Sequence, residues 1–136
     1  FFLMIRRPPR STLTLSLHDA RPIWVRHTNT LVIADRGFPL WPMIETVDLA
    51  VVDGLPTVLQ LLAAIRPNFH IGQAWMAEEF LKHNNAKTRS AFARSLGGIE
   101  LKHEAHVNFK KRVPHAIGLI HTGDVTQYAN IILESA

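Results

Sequence analysis

"HTGDVTQYANIILE", residues 121–134, changes character midway. Its first half carries Gly123, Asp124 and Thr126, which suit a turn, and "ANIILE" is the apolar run of a buried strand. Tyr128 and Asn130 stand where one becomes the other. A buried strand needs neither a phenol nor a carboxamide. A pocket that must hold hydroxyl groups in fixed directions uses both. The stretch therefore predicts the last strand of a sheet, with polar side chains at its entrance.

Reading outward from it, "HAIGLIH" (115–121) supplies the preceding strand. "EAHVNFKKRV" is a short helix with its basic residues toward the C-terminal end, where they suit the helix dipole. "IELKH" (99–103) is a short strand, and "NNAKTRSAFARSLGG" a helix with Asn at its start and Gly97-Gly98 as a left-handed terminator. "IGQAWMA" (71–77) is strand-like and leads into acidic "EEF". In "PTVLQLLAAIRPN", Val58, Leu61, Leu62 and Ile65 recur at helical spacing, Pro56 occupies a first turn and Pro67 closes the element. "TVDLAVV" reads as a strand ending at Asp53-Gly54, and "TLVIAD" (30–35) as the first strand, stopped by "RGFPLWP". Strands alternating with helices predict an α/β fold: a single three-layer domain, a mixed β-sheet flanked by helices.

Composition narrows the function. At 136 residues and 47% apolar, the chain suits one domain with one core. It has no cysteine, so disulfides and zinc-thiolate sites are excluded, which fits a reducing, cytoplasmic setting. No apolar run approaches the ~18 residues of a membrane span. The net charge of +4 suggests an anionic partner until its location is read. Residues 1–23, "FFLMIRRPPRSTLTLSLHDARPI", hold four of the 15 basic residues and one of the 11 acidic ones, leaving 11 against 10 elsewhere. This prefix has no steady period and resembles strings translated from sequencing-adapter DNA. We read it as a non-native scar and residues 24–136 as the domain. Binding of nucleic acid through a basic arm loses its support with that exclusion.

Polar residues gather at the strand ends, where α/β domains place their sites. His27 lies before the first strand and Asp35 closes it. His106 sits in the short helix, and Tyr128 and Asn130 open the last strand. Each also has a plain structural reading: Asp35 as a turn cap, Tyr128 as an anchor at the sheet edge, Asn130 bonded to backbone. His103 and His106 are three apart, but no H-E-x-x-H occurs and no acid or Cys stands at ligand spacing, so no metal site is expected. Walker and dinucleotide loops and a nucleophile elbow are absent, and no cofactor is expected.

"HTNTLVIADRGFP", "VDLAVVDGLPTVLQLL", "MAEE", "HVNFKK" and "TGDVTQYANIIL" follow the order and approximate spacing of the D-ribose pyranase and L-fucose mutarotase family. The chain resembles that family over roughly residues 26–134. The resemblance implies a monosaccharide isomerase that opens and recloses a free sugar by general acid–base catalysis, without a metal. It implies a homo-oligomer, a decamer of two pentameric rings, with the sugar held between subunits. Matched residue by residue, His27 is the proton donor, and Asp35, His106, Tyr128, Ala129 and Asn130 bind the sugar. A non-catalytic sugar-binding or regulatory member of the same family is the alternative.

The chain departs from the family pattern at several places. Arg26 replaces the usual Gly, Asn29 the usual Asp, and Arg36 a small residue; His121 and Asp124 stand where Arg and Glu are usual. In place of 1–23 the family leads us to expect a segment with a helix beneath the first strand, and a few more residues beyond Ala136. As written, the chain is expected to assemble or fold less well than an intact parent. Trp41 is a candidate to stack on a sugar face, or equally a core or interface residue.

Overall fold

The computed structural model describes residues 29–136. His27 and the segment 1–23 lie outside the described residues. Among the described residues six strands form one sheet: β1 (Thr30–Ala34), β2 (Thr46–Asp48), β3 (Ile71–Ala77), β4 (Glu100–Glu104), β5 (Gly118–His121) and β6 (Ile131–Ser135). Their order is β2-β5-β1-β6-β3-β4. β5 runs parallel to both β1 and β2, and β4 parallel to β3. β6 lies antiparallel between β1 and β3 and joins the two parallel groups. The helices are α1 (Val58–Ile65), α2 (Glu78–His83), α3 (Ala86–Leu96) and α4 (His106–Arg112).

The inner strands β1, β3, β5 and β6 are buried on both faces because their side chains are apolar at successive positions, whereas the edge strands β2 and β4 are more polar and partly exposed. Leu31, Ile33, Ala74, Met76, Ile120, Ile131 and Leu133 fall on one face, against Val58, Leu61, Leu62 and Ile65 of α1 and Phe80, Phe92 and Leu96 of α2 and α3. Val32, Ala34, Trp75, Leu119 and Ile132 point the other way, against Phe38, Phe109 and Val113. Each such side chain taken fully out of water contributes about 1.5–3 kcal/mol. The result is the mixed, helix-flanked α/β sheet that the sequence predicts.

Boundaries differ in instructive ways. Thr57 and Gln60 form a reciprocal capping box, which starts α1 at Val58 and leaves Pro56 ahead of the cap rather than in the first turn. Asn85 caps α3 as expected. Gly97 ends it with φ 61° and ψ −126°, a positive φ outside the left-handed helical well. The expected strand over 46–52 keeps only its first three residues. β2 is an edge strand, and after it the chain turns away, leaving Val51 and Val52 exposed. That turn docks on Gly123, whose N–H donates to the Pro56 carbonyl (3.0 Å) while its carbonyl accepts from Gly54 (2.6 Å). A Cβ at Gly123 would lie 2.4 Å from the Val52 oxygen and 2.5 Å from the Leu55 oxygen, so only glycine permits the approach. β6 begins at Ile131, so Tyr128 and Asn130 belong to the turn before it rather than to the strand.

Candidate functional site

The antiparallel setting of β6 puts its start beside the end of β1. The carboxyl ends of β3 and β4 run directly into α2 and α4 at the same end of the sheet. A cleft of about 610 Å³ opens there, lined by Asp35, Phe38, His83, His106, Lys110 and Tyr128 among others. Asp35, His106, Tyr128 and Asn130, all singled out from sequence, line this one cleft.

Asp35 is held from several sides. Its backbone N–H donates to Asn130 Oδ1 at 2.7 Å, and its carboxylate accepts from the Gly37 N–H at 3.0 Å. Burial raises its pKa, as does the nearby Asp124 carboxylate, against the bonds it receives from the Gly37 and Ala129 N–H groups and the Asn130 side chain. Ala129 therefore acts through its backbone, while its methyl group is buried in the core. Asn130 has the backbone-bonding role of its plain reading and also lines the cleft.

Asp124 braces this wall from behind. Its carboxylate accepts from Val58 at the start of α1 (2.8 Å) and from Thr126 (2.8 Å), and its carbonyl accepts from the Arg36 N–H (2.9 Å). The Arg36 guanidinium pairs with Asp53 at 2.8 Å.

The opposite wall is aromatic. Tyr128, at φ 55°, is a non-glycine residue in the left-handed region, a conformation that concentrates at functional sites. Its ring lies between His106 (centroids 5.1 Å, edge-on) and His83 (5.2 Å). Both Glu79 oxygens accept from the His106 N–H, at 3.0 and 3.2 Å, and so cap α4, whose own N-cap Ala105 has no side-chain acceptor. The His106 ring packs on Phe109 and Phe38, and its Nδ1 is buried without a hydrogen-bond partner. Burial lowers its pKa, as does Lys110, with Glu79 opposing. A neutral imidazole here keeps one donor and one acceptor.

His103 lies in β4, paired with Met76, not on the helix with His106. Trp41 packs against Phe38 and the smaller core cluster and is not among the residues lining the cleft. Two titratable cleft residues escaped the sequence reading. His83 ends a helix too short to show a period, whereas Lys110 sits one turn after His106 and was legible from that spacing.

The sequence model of the RbsD / FucU transport protein family matches residues 24–136. A D-ribose pyranase of Chromobacterium violaceum is 39% identical over 109 residues, covering 80% of this chain and 83% of that one. A D-ribose pyranase of Geobacillus kaustophilus is 37% identical, covering 80% and 79%. Bacillus subtilis RbsD complexed with D-ribose shares the fold with a TM-score of 0.78 at 29% identity, over 90% of this chain and 93% of that one. Fucose mutarotase from Streptococcus pneumoniae in complex with L-fucose matches with a TM-score of 0.70 over 84% and 86%; at 18% identity the likeness is one of fold.

Proposed function

The chain belongs to the RbsD / FucU transport protein family, and from that premise we propose that it is a monosaccharide isomerase that opens and recloses the ring of a free sugar. A D-ribose-like substrate is favoured, in keeping with its D-ribose pyranase relatives. The observation that carries the reading is the meeting of Asp35, His106, Tyr128 and Asn130, from three separate segments of the chain, on one cleft. Its volume falls within the ~300–1,000 Å³ of small-molecule sites.

The chemistry asks little of the protein beyond protons and positioning. The anomeric hydroxyl loses a proton, the bond from the anomeric carbon to the ring oxygen breaks, and that oxygen gains a proton, leaving an open-chain aldehyde. Reclosure reverses these steps through another hydroxyl or onto the other face of the carbonyl. In this reading His27 gives and takes the proton, a task suited to an imidazole near neutrality. Asp35 accepts from sugar hydroxyls, the neutral His106 donates or accepts, and Tyr128 offers a hydroxyl and an apolar ring face. Asn130 and the Ala129 backbone hold the Asp35 carboxylate in place. Arg36 also lines the cleft, with its guanidinium paired to Asp53.

The reading includes a cytoplasmic homo-oligomer, a decamer of two pentameric rings. Exposed Leu40, Met43, Val51, Val52 and Val125 are the kind of apolar surface that such an assembly covers. Sedimentation velocity tests the assembly. Saturation-transfer NMR on a monosaccharide panel tests the activity, with magnetisation exchange between ring forms or anomers expected for D-ribose. Line broadening without exchange would leave a sugar-binding protein without turnover, and silence in both would remove the reading.

A further inference from the structure

His121 ends β5, parallel to β1, within reach of the 35–37 turn. Its Nδ1 lies 2.9 Å from Asp48 Oδ1 on β2, and its Nε2 lies 2.9 Å from the Arg36 carbonyl oxygen. Both partners are acceptors, and a carbonyl cannot donate. A neutral imidazole has one N–H and would turn a lone pair toward one of them. Only the imidazolium, with two N–H groups, satisfies both contacts.

We infer that the His121 imidazolium is a positioning residue for the cleft: bridging Asp48 and the Arg36 carbonyl, it fastens the 35–37 turn, and with it Asp35, to the edge strand β2. The inference rests on the sugar-isomerase reading for its consequence and on the ring's two bonds for its existence. The surrounding charges agree. Asp48 faces the ring from β2 and Asp35 from the end of β1; Arg36 turns its guanidinium to Asp53, and Asp124 spends its carboxylate on Val58 and Thr126. Burial alone would lower the pKa of His121, but the Asp48 bond, the Arg36 carbonyl and the negative charges of Asp48 and Asp35 together raise it from 6.5. Asp48 shifts down in return, through its bond to His121.

An arginine at this place would be a fixed cation, whereas a histidine makes the brace titratable. Because the folded pKa is raised, the brace is complete below about 6.5 and lost as pH rises through the folded value. Substrate affinity then falls on the alkaline side, while the proton-transfer step, which His121 does not touch, changes little with the brace.

The test compares wild type, His121→Arg and His121→Gln in exchange NMR from about pH 6 to about pH 9. In wild type, KM for D-ribose is expected to rise roughly 3- to 10-fold across this range, well short of the ~10²-fold that a 1 Å displacement of reacting groups can cost. Meanwhile kcat should follow one pH profile, set by His27, in both wild type and His121→Arg. His121→Arg should keep the low KM and lose this alkaline rise, and His121→Gln should show a raised KM at every pH. A His121→Arg variant that retains the rise, or a His121→Gln variant with wild-type KM at the acid end, would overturn the inference. A readout independent of sugar separates the two readings. The Arg36 and Gly37 amide shifts should titrate with the His121 ring in wild type and stay flat in His121→Arg. If they do while no sugar exchanges, the isomerase reading fails and the brace stands; if the ring titrates below 6.5 or the amides ignore it, the brace fails whatever the activity.

Discussion

The two walls of the cleft are built in opposite ways. On the Asp35 side, polar atoms are bonded to one another: Asn130 to the Asp35 backbone, Gly37 to its carboxylate, Asp124 to Val58 and Thr126. On the His106 side, the rings of Tyr128, His83 and Phe109 hold the geometry, and a buried imidazole nitrogen has no hydrogen-bond partner. The first wall spends its hydrogen bonds on rigidity. The second fixes ring positions by packing, with few hydrogen bonds among its side chains. A sugar site benefits from both, since preorganised groups lose little freedom on binding.

The largest expected effect tests whether either wall supplies the proton. His27→Ala should slow sugar exchange by ~10²–10⁴-fold while leaving ligand binding detectable by NMR. Unchanged exchange would move the acid–base role into the walls, with Asp35 or His106 the next candidates. Asn130→Ala then probes the bonded wall. It strands the Asp35 N–H and should cost about 1–3 kcal/mol of stability in denaturant titrations, along with sugar affinity.

Smaller effects are expected on the aromatic wall, in affinity before stability. His106→Gln should weaken sugar binding by about tenfold, one well-made polar contact, with a lesser change in unfolding midpoint. Acid should mimic it in wild type. The folded pKa of His106 is lowered, so the native state binds fewer protons than the unfolded chain just below pH 6.5. Stability therefore falls with pH from there until the folded pKa is passed, and affinity falls as the imidazole loses its acceptor. The aromatic wall thus weakens on the acid side and the bonded wall, through His121, on the alkaline side. A pH series of affinity with one flank only would break the comparison. Tyr128→Asn is the mildest change for the fold: Asn tolerates φ 55° but gives up a ring packed against the larger core cluster, so the two effects should offset to within about 1 kcal/mol of thermal stability while affinity drops.

What was legible in the sequence follows from what is local. The Asn85 cap, the 3.6-residue period of Val58, Leu61, Leu62 and Ile65, and the buried run Ile131–Leu133 are decided by neighbours a few residues away. "TVDLAVV" misled for the same reason. An apolar run reads as a strand, yet β2 stops at Asp48 because it lies at the sheet edge and the chain leaves to pack on Gly123. His83 was missed because a six-residue helix shows too little of its period.

By itself the sequence determined the two-sided apolar strands of the sheet centre, the capped start of α3, and which polar residues stand where strands end, because side-chain alternation and capping act over a few residues. Tertiary structure decided the rest. Only the insertion of β6 antiparallel between β1 and β3 sets Asn130 against Asp35, 95 positions earlier in the chain. Only the pairing of β5 with β2 turns His121 into a brace with two acceptors. Hydrogen-bond partners and pKa shifts depend on burial and on charges brought in from distant segments, and these exist only once the sheet has closed.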